Sequence, residues 1–196
     1  QGYSSAASDV YKRQIFGRAT IFDIPDLQLL PIGYYGIVIL VALASGLAGV
    51  IFNWGLLNIG RFYSLPCFKR PVQKIAFALI CAGILGYFLP EVLGGGNDLI
   101  NHLAKAPVSL QLLLLFLAGK LIFTLISYGC GVPGGFFLPM LVIGALCGSI
   151  CAQILIMLGW IEPAYATNIM VVAMAALFAS SVRAPITGTV LIMEMT

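Results

Sequence analysis

The stretch Gly131-Val132-Pro133-Gly134-Gly135-Phe136-Phe137-Leu138-Pro139 interrupts a long apolar part of the chain with glycine and proline. An apolar run resumes at Phe136, and its length predicts a helix that begins there. A helix N-terminus carries unpaired N–H groups and about half a positive charge, so it can bind an anion without a basic side chain. The two preceding glycines have no Cβ atoms and would let an anion approach the backbone. Proline costs little in a first helical turn. We predict an anion site formed by Gly134, Gly135, Phe136, Phe137 and Pro139.

Three charged residues, Lys120, Arg183 and Glu194, lie in or beside apolar runs. A charge at the centre of a bilayer costs about 2.5–3.5 kcal/mol on insertion scales, so each should face protein or water. Lys120 could attract anions, but a structural ion pair or a snorkelled side chain is the favoured role. Arg183 is expected to donate hydrogen bonds to carbonyls at the end of the preceding helix, in preference to binding an anion. Glu194 could pair with Arg183, with Lys120 or with a residue outside this sequence, and a proton-carrying role is the weaker alternative.

The composition predicts a polytopic membrane protein of the all-α class. Of the 196 residues, 61% are hydrophobic and only 9% are charged, whereas soluble domains average about 25% charged residues. Long apolar runs at 32–60, 75–90, 108–128 and 136–159 are sufficient for membrane-spanning helices. A shorter run at 166–181 does not comfortably cross about 30 Å at 1.5 Å per residue, so it should be partly buried or meet the next helix inside the membrane. Pairs of small residues four apart predict close helix contacts: Ser45 with Gly49, and Gly144 with Gly148.

Several classes of function find no support in the sequence. The net charge of +3 is small and its basic residues are scattered, which disfavours a nucleic-acid interface. The five cysteines form no Cys-x-x-Cys pair and the single histidine is distant, so no metal site is predicted. The common motifs of hydrolases, zinc proteases and nucleotide-binding proteins are missing. We therefore expect no catalytic residue and no cofactor, and an enzyme is the least favoured class.

Three motifs in order resemble the CLC family of chloride channels and proton/chloride antiporters. They are Gly94-Gly95-Gly96, the Gly-Gly-Phe-Phe-Leu-Pro run at 134–139, and Ser-Ser-Val-Arg-Ala-Pro-Ile-Thr-Gly at 180–188 followed by Glu-Met-Thr at 194–196. The family's second half carries Gly-Gly-(Ile/Leu/Phe)-Phe-x-Pro and Ser-x-Arg-Ala-Pro-x-Thr-Gly followed by Glu-Met-Thr. The resemblance covers about residues 15–196. Residues 1–14 are polar and aperiodic, and we predict that they are a non-native or disordered leader.

The resemblance implies a partial chloride-channel core of tilted and broken helices, corresponding to most of the second of two antiparallel halves, truncated. It implies chloride as the substrate, held by the backbone amides of Phe136 and Phe137. The full protein would be a multi-pass homodimer in the plasma (inner) membrane, in contact with lipid. The family's coordinating serine and gating glutamate would precede residue 15 and its tyrosine would follow Thr196, so a channel and a proton-coupled antiporter both stay open.

The residues by themselves leave two further functions open. One is a secondary transporter that binds another small anion, a carboxylate or a phosphate, at the same helix end. The other is a non-transporting membrane scaffold, in which side chains would seal the break and no N–H group would face a cavity.

Overall fold

A computed structural model of the chain describes residue 22 and residues 29–64, 70–94, 96–105, 108–132, 135 and 137–195. The predicted leader, residues 1–14, lies outside these residues, as do Gly134 and Phe136 of the predicted site. The described residues form seven α-helices and no strand, which confirms the all-α class. The helices are α1 Tyr35–Tyr63, α2 Pro71–Phe88, α3 Asn97–Lys105, α4 Leu110–Gly129, α5 Phe137–Met157, α6 Ala166–Val182 and α7 Pro185–Met195.

Five segments are long and apolar enough to cross a membrane. They are Ile32–Tyr63, Pro71–Phe88, Leu110–Gly129, Phe137–Met157 and Pro163–Val182. The last corrects an expectation, because a 3-10 turn at Pro163–Tyr165 leads directly into α6 and extends it to a sufficient length. The prediction that this run is partly buried is confirmed, since Ile169, Ala173 and Leu177 are fully buried. The polytopic membrane architecture is therefore confirmed.

Helix α5 lies at the centre of the structure. Its residues from Met140 to Leu146 are all buried, and a helix that is apolar on every side is one that protein surrounds. It packs against α6 over the largest contact in the structure, and also against α4, α3 and α1. A helix enclosed in this way has a fixed direction and a fixed N-terminus.

Helix α6 lies between α1 and α5, and glycines on both neighbours allow the close approach. A Cβ atom on Gly49 of α1 would lie 2.9 Å from the Leu177 carbonyl oxygen, and Ser181 Oγ donates to the Gly49 carbonyl at 3.4 Å. On α5, a Cβ atom on Gly148 would lie 2.7 Å from Met170 Cα. The two pairs of small residues in the sequence therefore mark close helix contacts, as predicted, and both contacts are with α6.

The α5–α6 contact gives the first testable prediction. In Gly148→Ala the added methyl group meets the α6 backbone, and overpacking of this kind typically costs about 1–3 kcal/mol. Alanine favours a helix over glycine by about 1 kcal/mol, so Gly83→Ala on α2, where a Cβ meets nothing within 4 Å, is the matched control. We expect Gly148→Ala to unfold at a lower temperature than Gly83→Ala in detergent micelles. Equal midpoints would contradict the close contact.

Candidate anion site

The predicted break between two membrane helices is present. Helix α4 ends at Gly129, Cys130 forms a turn, and Gly131 has a positive φ of 83°, which glycine adopts without steric cost. Val132 and Gly135 are outside any helix, and α5 begins at Phe137. The chain therefore leaves helical geometry between two segments that are each long enough to span a membrane.

The first turn of α5 contains backbone N–H groups that the helix leaves without a partner. Phe137, Leu138 and Pro139 are its first three residues, and N–H groups in a first turn have no partner within the helix. Pro139 lies in the first turn, as predicted, and removes a donor that the helix would leave unpaired. The donors of Phe137 and Leu138 remain at the positive end of the helix dipole.

Aromatic packing holds this first turn in place. The ring of Phe137 meets the ring of Phe178 on α6 edge to face, with centroids 5.4 Å apart and an interplanar angle of 84°. Phe178 is itself nearly buried, and a Cβ on Gly188 of α7 would lie 2.9 Å from its ring. The start of α5 is thus packed against α6 through Phe178, which α7 contacts in turn.

A cavity of about 550 Å³ lies beside this turn, between α2 and α4. On the side of the break it is lined by Gly135, Leu138 and Pro139, and on the side of α4 by Lys120, Thr124 and Ser127, among others. A water molecule in the liquid occupies about 30 Å³, so the cavity has room for a small anion together with water. The structure therefore brings Gly135, Pro139 and Lys120 to one cavity, with Phe137 next to it.

The side chain of Lys120 makes hydrogen bonds that were not predicted from the sequence. The residue is 1% exposed, and its Nζ donates to the carbonyl oxygens of Val92, at 2.8 Å, and Gly94, at 2.9 Å. The expected ion pair or snorkelled side chain is therefore replaced by hydrogen bonds to the backbone between α2 and α3. The sequence did contain a signal for these hydrogen bonds. The triple glycine and Pro90 interrupt helical pairing and leave carbonyl groups that need hydrogen-bond donors.

Arg183 and Glu194 lie away from this cavity. Arg183 follows α6 with φ 59° and ψ 31°, a left-handed conformation uncommon outside glycine, and its side chain is exposed. It makes no hydrogen bond to any carbonyl in the described part of the chain, so the expected contact with the end of the preceding helix is not observed. Glu194 is exposed on α7. An electrostatic role for either residue stays a prediction.

Comparison with known proteins identifies the family. The family model described as voltage gated chloride channel matches residues 3–196. The H(+)/Cl(-) exchange transporter ClcA of Vibrio cholerae serotype O1 (strain M66-2) is 33% identical over 98% of this chain and 42% of its own length. ClcA of Salmonella agona (strain SL483) is 34% identical over 96% of this chain and 41% of its own length. This chain therefore spans less than half of the length of these relatives.

A solved structure agrees with the sequence comparison. The X-ray crystal structure of a slow cyanobacterial Cl-/H+ antiporter superposes with a TM-score of 0.84 and 28% identity, over 95% of this chain and 44% of that one. The family match begins at residue 3, and the assignment of residues 1–14 as a leader stays a prediction. Because the family model covers nearly the whole chain and the helices superpose on those of a solved antiporter, the chain belongs to the voltage gated chloride channel family.

Proposed function

We propose that the protein containing this chain transports chloride across a membrane and holds the anion at the N-terminus of α5. The observation that carries the proposal is the start of α5 at Phe137, directly after a glycine-rich break and beside a cavity lined by Gly135, Leu138 and Pro139. The full set of anion-binding residues in the proposal is Gly134, Gly135, Phe136, Phe137 and Pro139.

The electrostatics of the cavity favour an anion over a cation. The N-terminus of α5 contributes about half a positive charge at this cavity. None of the described residues that line it is acidic. Charges act more strongly where protein and lipid exclude water, so this arrangement attracts a small anion and repels a cation.

The names of the relatives support one form of transport. The ClcA proteins are named as H(+)/Cl(-) exchange transporters and the solved structure is of a Cl-/H+ antiporter, which favours proton-coupled exchange over passive conduction. We further propose a multi-pass homodimer in the plasma (inner) membrane. In support, α1 exposes large apolar side chains such as Ile39, Leu43 and Leu47, a surface suited to lipid or to a second subunit.

The two alternatives are distinguished by what faces the break. A scaffold predicts a break sealed by side chains, whereas Gly135 and the first turn of α5 line an open cavity. A transporter of another small anion uses the same helix end, because free N–H groups do not by themselves select chloride. Competition between chloride and carboxylates or phosphate for binding to the full-length protein separates that alternative from chloride transport.

Deletion of one amide donor tests the anion site. Proline suits the first position of a helix, so Phe137→Pro removes the N–H of that residue while a helix can still begin there. A hydrogen bond to a charged group is worth about 1.5–3 kcal/mol, which corresponds to a loss of chloride affinity of about tenfold to a hundredfold. Isothermal titration calorimetry of the full-length protein measures the change.

The control is Phe137→Ala, which also loses the contact with Phe178 but keeps the N–H group. We expect Phe137→Ala to bind chloride more tightly than Phe137→Pro. Equal affinities in the two variants would show that the amide of residue 137 does not bind the anion.

A second test concerns the chain by itself. Helix α2 has a single buried residue, Ala78, so the helices described here enclose the cavity incompletely. We expect liposomes that contain only residues 1–196 to release chloride at the rate of protein-free liposomes, while the full-length protein releases it faster. Chloride release by residues 1–196 alone would contradict a site that needs the rest of the protein.

A further inference from the structure

The chain between α2 and α3 returns into the protein interior as an irregular segment. This linking segment (residues 89–94 and 96) contains a 3-10 turn at Pro90–Val92, and Val92 is fully buried. Leu99 and Ile100, in the first turn of α3, are also buried. Backbone carbonyls outside a helix need donors from the protein wherever lipid or packed side chains exclude water.

Lys120 supplies those donors. Its Nζ lies 2.8 Å from the Val92 oxygen and 2.9 Å from the Gly94 oxygen. An ammonium group has three N–H donors, so two of them are committed to the linking segment. Thr124 Oγ1 donates to the Lys120 carbonyl at 2.7 Å, one helical turn further along α4.

The other side of the segment rests on α5. A Cβ atom on Gly96 would lie 2.6 Å from Val142 Cγ2 and 3.3 Å from Lys120 Nζ. Gly96 has φ 86°, so only glycine fits there both sterically and conformationally. The chain at Gly96 is therefore wedged between the ammonium of Lys120 and the second turn of α5.

We propose that Lys120 is a positioning residue for the anion site: its ammonium holds the linking segment against α5 and so shapes the cavity beside the first turn of α5. Gly94 and Lys120 line this cavity together with Leu138 and Pro139. Lys120 acts through the two carbonyls it binds and does not contact the anion, which agrees with its burial. The inference rests on the proposed function in so far as chloride occupies the cavity.

The test uses the full-length protein and two readouts. The first is the reaction rate of a cysteine placed at Leu93, which lines the cavity next to Gly94, with a charged methanethiosulfonate reagent in a cysteine-free background. The second is the chloride dissociation constant. Lys120→Met removes both hydrogen bonds, and we expect about a tenfold change in the reaction rate and a similar loss of chloride affinity. Lys120→Arg retains charge and donors and should restore most of both.

Two further variants separate positioning from a direct effect of charge. Gly96→Ala displaces the wedged backbone while Lys120 keeps its charge, so positioning predicts that it changes both readouts in the direction of Lys120→Met. Lys74→Met removes the same charge from α2, where the described structure shows no hydrogen bond to the lysine, and should leave both readouts unchanged. Because Gly96→Ala retains the lysine, it decides the question even if Lys120→Met does not fold.

Two results would overturn the proposal, and a third would overturn only the proposed function. Unchanged cysteine reactivity in Lys120→Met and Gly96→Ala would overturn the proposal. So would a loss of chloride affinity in Lys120→Met with none in Gly96→Ala, because charge alone would then act on the anion. If the wild-type protein bound no chloride, the proposed function would fail, while the cysteine readout would still decide whether Lys120 positions the linking segment.

Discussion

The need of every buried backbone N–H and C=O group for a partner constrains this structure more than any other interaction. An unbroken membrane helix meets it internally, but this chain leaves helical geometry at residues 130–132 and 135, and again between α2 and α3. The two interruptions of helical geometry differ in whether the backbone groups they expose have a partner. The carbonyls of Val92 and Gly94 are paired with the ammonium of Lys120, whereas the amides at the start of α5 have no partner within the helix. The first arrangement stabilises the fold, and the second leaves the donors on which the proposed anion site depends.

Both interruptions of helical geometry lie next to α5. Residues Met140 to Leu146 are enclosed by four neighbouring helices, and the ring of Phe137 is held by Phe178. This enclosure is what allows unpaired amides to keep a defined direction, since a loosely held helix end would turn its donors toward any available acceptor. The same side chains therefore pack the core and fix the direction of the amides at the start of α5.

The sequence predicted features that depend on neighbours along the chain. Glycine and proline determine local backbone geometry, so the break near Gly131 and the place of Pro139 in the first turn of α5 followed from residue types. The glycines at 49, 144 and 148 likewise marked close contacts. The triple glycine and Pro90 indicated carbonyls in need of donors, but not that Lys120 is the donor, because that depends on which distant segment folds back onto α4. The exposed left-handed conformation of Arg183 and the extension of α6 by Pro163–Tyr165 also depend on how the following and preceding segments pack.

The position of α6 between two glycine-bearing helices has a consequence for motion. With Gly49 on one side and Gly148 on the other, the backbones of α1, α5 and α6 approach so closely that none of the three can slide or rotate without a clash. These contacts hold the three helices in fixed positions relative to one another. Any rearrangement of the described helices must therefore occur in elements outside this trio, and α2, which contributes one buried residue, is free of the same restraint.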